Sequence, residues 1–175
     1  LWPNKALFIG YVWPEPDTTA AGNRMLQLLT AFKEKGYQVS FCTTAAKTAY
    51  SDDLSELGVL TQSILLNDSS FDIFIKDLGP DVVVFDRFMV EEQFGWRVAE
   101  NAPKAIRILN TEDLHSLRKV RQEAHKKGEQ FHLSSWLKSD MTKRELASIY
   151  RSDLSLLVSS YEMELLHTEL RIDPD

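Results

Sequence analysis

The stretch Asn110-Thr111-Glu112-Asp113-Leu114-His115-Ser116-Leu117-Arg118 concentrates two carboxylates, an imidazole and a guanidinium. Such groups could move protons, stabilise developing charge or grip an anion. His115 and Arg118 stand three positions apart, so on a helix they share a face and could address one ligand. The plainer alternative is that Glu112 and Asp113 serve only the positive end of a helix dipole, with Asn110 as the cap. A second cluster, Thr18-Thr19-Ala20-Ala21-Gly22-Asn23-Arg24, has small residues that would leave backbone N–H groups open to an anion, with Arg24 as a fixed positive charge. Its alternative is a plain N-cap by Thr18 or Thr19 with Arg24 in solvent. The third cluster is Asp86-Arg87, with Glu91 and Glu92 a turn further, where ligand contact competes with a loop-shaping ion pair. Ser159 and Glu162 have capping-box spacing and are assigned that structural role.

All three clusters follow strand-like runs. Ala6-Leu7-Phe8-Ile9 is uninterruptedly apolar and ends at Gly10, as expected of a central parallel strand covered on both faces. After a loop with Pro14 and Pro16, Ala21, Met25, Leu28, Leu29 and Phe32 recur at helical spacing, and Gly36 is placed to end that helix. Val39 and Phe41 open a second strand. Ser69 to Gly79 reads as a helix feeding the strand Val82-Val83-Val84-Phe85, and Val90, Phe94 and Val98 stripe the next helix. Ala105 to Leu109 is a further strand, not wholly buried because it contains Arg107. A surface helix is expected from about Asp113 to Lys127, ended by Gly128, with only a narrow stripe of Leu114, Leu117, Val120 and Ala124. Met141, Glu145, Leu146, Ile149 and Tyr150 mark a helix leading to a strand at Leu154 to Val158, and a terminal helix carries Leu165 and Leu166. Val59 to Leu66 adds a further strand. The whole is α/β: a Rossmann-like open parallel sheet with helices on both faces, whose strand ends are where ligands bind.

Composition bounds the function. A chain of 175 residues is long enough for one domain with its own core, buried without disulfides or metals. The single Cys42, in a strand, fits a reducing, cytoplasmic setting and a core role. A net charge of −6 argues against nonspecific nucleic-acid binding. The basic run Arg118, Lys119, Arg121, His125, Lys126, Lys127, followed by Phe131, Leu133, Trp136 and Leu137, is the local exception. An anionic membrane surface or a phosphorylated substrate could dock there; the alternative is a solvated helix face and a folded-back loop. The loop from Gly10 to Gly22 has neither the dinucleotide fingerprint nor a P-loop, no G-x-S-x-G elbow occurs, and the four histidines lack metal-motif spacing.

On these residues the chain resembles the N-terminal Rossmann-like domain of a GT-B glycosyltransferase, most closely of family 4. The resemblance rests on ALFIGYVWPEPDTTAAGNRMLQLLTAFKEKGYQVSFCTT with its Gly22-Asn23-Arg24, and on Gly79-Pro80-Asp81-Val82-Val83-Val84. It continues through Ile108-Leu109-Asn110-Thr111-Glu112-Asp113-Leu114-His115 and Glu145-Leu146-Ala147-Ser148-Ile149-Tyr150-Arg151-Ser152-Asp153 into Val158-Ser159-Ser160-Tyr161-Glu162. It implies an enzyme of carbohydrate biosynthesis whose N-terminal half, residues 1–175, binds a sugar or glycolipid acceptor. A C-terminal domain of the parent chain would hold most of a nucleotide-sugar donor, with no cofactor and no obligatory metal. By matching position, Asp113 and His115 would flank the reacting centre, Gly22 and Arg24 would face donor phosphates or acceptor, and Arg87, Glu112 and Arg118 would bind substrate. Family 4 transfer retains anomeric configuration, so His115 is expected to orient groups or stabilise charge rather than to act as a conventional base.

The resemblance stops where a donor domain with its paired glutamates would follow. The chain begins at Leu1 and ends at Ile172-Asp173-Pro174-Asp175, which reads as a fragment that should not turn over alone. The competing class is a noncatalytic Rossmann-like module that holds a small anionic ligand or a protein partner with the same strand-end residues.

Overall fold

The strands are β1 (Lys5–Gly10), β2 (Gln38–Thr43), β3 (Leu60–Ser63), β4 (Val82–Asp86), β5 (Ile106–Glu112) and β6 (Leu154–Leu157) in a computed structural model that describes residues 4–173. Leu1 and Pro174-Asp175, used above in reading the chain ends, lie outside the described residues. The intervening helices are α1 (Ala20–Glu34), α2 (Ser70–Leu78), α3 (Phe88–Asn101), α4 (His115–Lys127), α5 (Leu133–Lys138), α6 (Asp140–Arg151) and α7 (Ser160–Leu170). The six strands lie in the order β3-β2-β1-β4-β5-β6, every neighbouring pair parallel. The order reverses direction between β1 and β4. In an open α/β sheet that switch point opens a crevice at the carboxyl ends of the strands.

Strand alternation divides the core. Leu7, Ile9, Val83, Phe85 and Leu109 pack with Phe71, Val98, Leu117 and Ile149 on one face. Ala6, Phe8, Val82, Val84 and Ile108 pack with Met25 and Leu29 of α1 and with Leu54 on the other. Both faces of the central strands are therefore covered, which is why β1 and β4 read as apolar runs rather than as alternating patterns, whereas the edge strand β3 is exposed throughout. Gly79 and Gly128 end α2 and α4 in the left-handed region, at φ +56° and +68°, where other residues pay a steric penalty. Cys42 is fully buried in β2, and burial pushes its thiol far above the ordinary range, as befits an inert core residue. Among the described residues no helix is long and apolar enough to cross a membrane.

Three local expectations need correction. The strand expected at Ala105 to Leu109 continues through Asn110, Thr111 and Glu112, so Asn110 is a buried strand residue and not a helix cap. Helix α4 starts at His115, with Leu114 at its cap position and no acidic residue in its first turn. Glu112 and Asp113 therefore precede the helix rather than forming its first turn. The capping box is half formed. Ser159 Oγ accepts from the Glu162 N–H at 3.3 Å, but the Glu162 carboxylate points away, to α4.

Candidate functional site

Three strand ends converge beside the switch point. β4 ends at Asp86, whose register partner in β5 is Asn110, and the Arg87 N–H donates to the Asn110 carbonyl at 3.0 Å. The Asn110 side chain reaches the other way. Its Oδ1 accepts from Arg24 Nε of α1 at 3.4 Å, so one carboxamide ties α1 to β5. Arg24 is thus turned into the molecule, not into solvent as the plain-cap alternative had it. From the end of β1, the Tyr11 N–H donates to Asp86 Oδ2 at 3.2 Å, and the Arg87 guanidinium lies 4.9 Å from the centre of the Tyr11 ring.

The backbone is forced at two of these positions. Arg87 has φ 74° and ψ 157°, a conformation that belongs almost entirely to glycine, and Glu112 has φ 64°. Each such residue costs on the order of 1–3 kcal/mol and is held only by its surroundings. At Glu112 the cause is visible in the pairing of β5 with β6. Asn110 faces Leu156 and Glu112 faces Leu157, leaving Thr111 as an extra residue in a bulge. Bulges of this kind re-aim side chains at the ends of sheets.

Asp113 and His115 follow the bulge. Asp113 Oδ2 accepts from Arg118 Nη1 at 2.6 Å, while its Oδ1 stands 3.8 Å from His115 Nε2. The imidazole is packed edge-on to Phe88, centroids 6.3 Å apart, and its Nδ1 is 3.7 Å from Glu145 Oε1. Glu145, wholly buried on α6, also accepts from the backbone N–H groups of His115 and Ser116 at 2.9 and 3.0 Å. Glu162 of α7 accepts from the Leu114 N–H at 3.0 Å. Two carboxylates from distant helices therefore cap α4, where the dipole favours negative charge.

Polar atoms without a hydrogen bond concentrate here, although Asp86 Oδ1 and Arg87 Nε stand 3.9 Å apart as the loop-shaping ion pair that competes with ligand contact. Among the described residues, buried side-chain atoms with no hydrogen-bond partner are Asp86 Oδ1, Arg87 Nε, Asn110 Nδ2, Thr111 Oγ1, Glu112 Oε1 and His115 Nδ1, and outside this cluster only Thr142 Oγ1. Such groups cost free energy unless something else completes them. Burial pushes the Asp86 carboxyl upward against the pull of Arg87, and it raises Glu112 as well, helped by the charge of Asp86.

The other expected site residues fare differently. The Gly22 N–H donates to the N-cap Thr19 Oγ1 at 2.9 Å, so it is not open to an anion as the small-residue reading required. Gly22 is needed for packing: a Cβ there would stand 2.5 Å from backbone atoms of Glu15. Gly22→Ala should therefore lower stability by about 1–3 kcal/mol, with or without ligand. Denaturant unfolding measures this, and an unchanged midpoint would refute it. Glu91 and Glu92, which stood beside Asp86-Arg87, are engaged by Arg151 and Arg144 of α6 at 2.5 and 2.6 Å. The apolar partners of the basic helix fold inward, Trp136 being wholly buried with Nε1 donating to Ser116 Oγ at 2.8 Å.

Sequence reasoning missed Glu145 and understated Asn110. A signal for Glu145 existed, because it occupies the stripe of Met141 and Ile149 that faces the core. A carboxylate in an apolar stripe needs a buried partner. The crevice itself is small. A cavity of about 80 Å³, lined by Trp13, Glu15, Thr19, Gly22, Asp86 and Arg87, lies at the switch point. That is far below the roughly 300–1,000 Å³ of pockets that enclose a ligand. A larger open groove of about 610 Å³ between α4 and α5 is lined by none of the strand-end residues. No cluster of three or more His, Cys, Asp or Glu side chains placed to hold a metal ion occurs among the described residues.

No protein-family model matches the chain. No curated protein matches its sequence. Among solved structures the chain is similar to an alpha-glucosyltransferase in complex with UDP and a 13-mer DNA containing a HMU base, at 9% identity and a TM-score of 0.50. The match covers 89% of this chain and 38% of that one, so the present chain spans well under half of its length. At this identity the likeness is one of fold: a Rossmann-like parallel sheet of the kind found in a glycosyltransferase.

Proposed function

We propose that this chain is the acceptor-binding domain of a GT-B glycosyltransferase, most like family 4, closing over a nucleotide-sugar held mainly by a C-terminal domain of the parent protein. One observation carries the reading. The buried atoms without a hydrogen bond at the strand ends include acceptors, on Asp86 and Glu112, and donors, on Arg87 and Asn110, within one cluster, where Asp86 Oδ1 and Arg87 Nε meet only as an ion pair at 3.9 Å. A sugar hydroxyl donates and accepts at once, so a polyol satisfies such a mixture where a simple anion would satisfy only its donors. The fold likeness to a glucosyltransferase agrees with this, and so does a crevice too shallow to enclose a donor by itself.

In this reading Arg87 and Glu112 hold acceptor hydroxyls, and Arg118 fixes Asp113 beside the reacting centre. His115, oriented by Phe88 and Glu145, stabilises charge as the bond from the anomeric carbon to the donor phosphate breaks and the bond to the acceptor oxygen forms. Arg24, anchored on Asn110, offers positive charge near Glu112, with Gly22 allowing the close packing of the α1 start. The division of labour is tested by titration calorimetry of the 175-residue chain with UDP-, GDP- and ADP-linked sugars. Binding no tighter than about millimolar, near 4 kcal/mol, is expected. Micromolar affinity would place a complete donor site in this chain and overturn the two-domain assignment.

A further inference from the structure

Helix α4 leaves the candidate site as a basic rod. It carries Arg118, Lys119, Arg121, Lys126 and Lys127 against one carboxylate, Glu123, in a chain whose net charge is −6. His115, Lys119, Gln122 and Lys126 recur at i, i+4, i+7 and i+11, so they form one line along the helix. These four, with Arg118, Glu123 and Met141 of α6, line an open groove of about 330 Å³. From His115 to Lys126 the helix rises about 16 Å.

The charges along this line are unequally committed. Arg118 is held by Asp113 at 2.6 Å. Lys119 Nζ lies 4.0 Å from Glu123 Oε1, a loose pair between exposed side chains that contributes little. Lys126 has no acidic partner among the described residues. A bilayer would also require exposed apolar side chains beside the charges, but Phe131, Leu133 and Leu137 pack against the core and Trp136 is buried. A groove with one unpaired and one loosely paired ammonium group, and Met141 as its one apolar lining residue, suits a discrete anion better than a bilayer.

We infer that the acceptor carries a phosphomonoester, received by Lys119, Gln122 and Lys126 in the groove along α4, while its reacting hydroxyl lies toward His115. The inference rests on the glycosyl-transfer reading above and names the chemical class of its acceptor. A phosphate offers several acceptor oxygens to two ammonium groups and an amide N–H₂, contacts stronger than neutral hydrogen bonds. An otherwise acidic surface repels anions, so the basic line also steers them to this one entry.

The test is a ¹H–¹⁵N titration of the chain with glucose 6-phosphate, inorganic phosphate and glucose as probes. Both phosphates should shift the signals of Lys119, Gln122 and Lys126, glucose should not, and the double variant Lys119→Glu, Lys126→Glu should weaken phosphate binding by about tenfold or more. These side chains are exposed, so the sheet signals serve as the control for an intact fold. No shift along this line through the millimolar range, or shifts unchanged in the double variant, would overturn the inference. So would binding to vesicles containing anionic lipid without any response to the phosphate probes. Transfer assays on the parent protein separate the two readings. A phosphorylated acceptor used no better than its neutral counterpart, at a rate the double variant leaves unchanged, removes the phosphate site and leaves the transferase; phosphate binding with no transfer to any acceptor does the reverse.

Discussion

Asp113→Ala and His115→Ala in the parent protein should each lower sugar transfer by about 10²–10³-fold, the size of effect seen when a preorganised charge-stabilising group is removed. The unfolding midpoint should stay close to that of the unmodified protein for Asp113→Ala and fall only modestly, far less than the rate, for His115→Ala, whose ring is largely buried against Phe88. Asp113 is exposed enough for water to replace its bonds to Arg118, and the His115 imidazole makes no hydrogen bond to the rest of the fold. Asp113→Asn separates the roles. It keeps an oxygen for Arg118 but removes the negative charge beside His115, so it should remain slow if charge matters and recover if position alone does. Wild-type rates in both alanine variants would end the assignment. A fall in rate matched by an equal fall in midpoint would instead make these residues structural.

Glu145→Ala should be the most destabilising single change in the site region, by about 3 kcal/mol or more. Glu145 is 1% exposed, and its two oxygens receive the N–H groups of His115 and Ser116 together with the Ser116 hydroxyl at 2.6 Å. Truncation leaves those donors buried and unanswered at the start of a helix. Glu145→Gln keeps one acceptor oxygen and should recover part of the loss. Chemical denaturation with an unchanged slope gives the comparison, and a loss below about 1 kcal/mol for the alanine variant would show that water reaches the helix end. The consequence for chemistry is indirect. Because the same carboxylate lies against the His115 ring, loosening α4 should also reduce transfer before global unfolding sets in.

What the sequence made legible was whatever depends on near neighbours. Val82 to Phe85 declares a buried strand by composition alone, and Gly79 and Gly128 declare helix ends through a backbone conformation that glycine adopts cheaply. The polar end of β5 was not legible, because Asn110-Thr111-Glu112 has neither the apolar run of a covered strand nor an alternating pattern. The start of α4 was misplaced for a different reason. Its caps are Glu145 and Glu162, separated from the N–H groups they receive by 30 and 48 positions, so no local signature marks it. Arg24 and Asn110 each stand out locally, but their contact spans 86 positions and belongs to the sheet order. Gly22 shows the opposite failure: a local pattern suggested an anion site where packing against Glu15 decides the residue.

The extra residue at Thr111 changes the parity of β5. Side chains two apart on a regular strand serve the same side of a sheet, yet Asn110 and Glu112 stand opposite the consecutive residues Leu156 and Leu157, which belong to different cores. One strand thereby serves both layers within a single step: Asn110 answers α1 through Arg24, and Glu112 leads into the turn toward α4. The arrangement is written in the count of residues as much as in their chemistry. A chain that kept every polar group of this cluster but lost one position in β5 would present the same inventory to the wrong side.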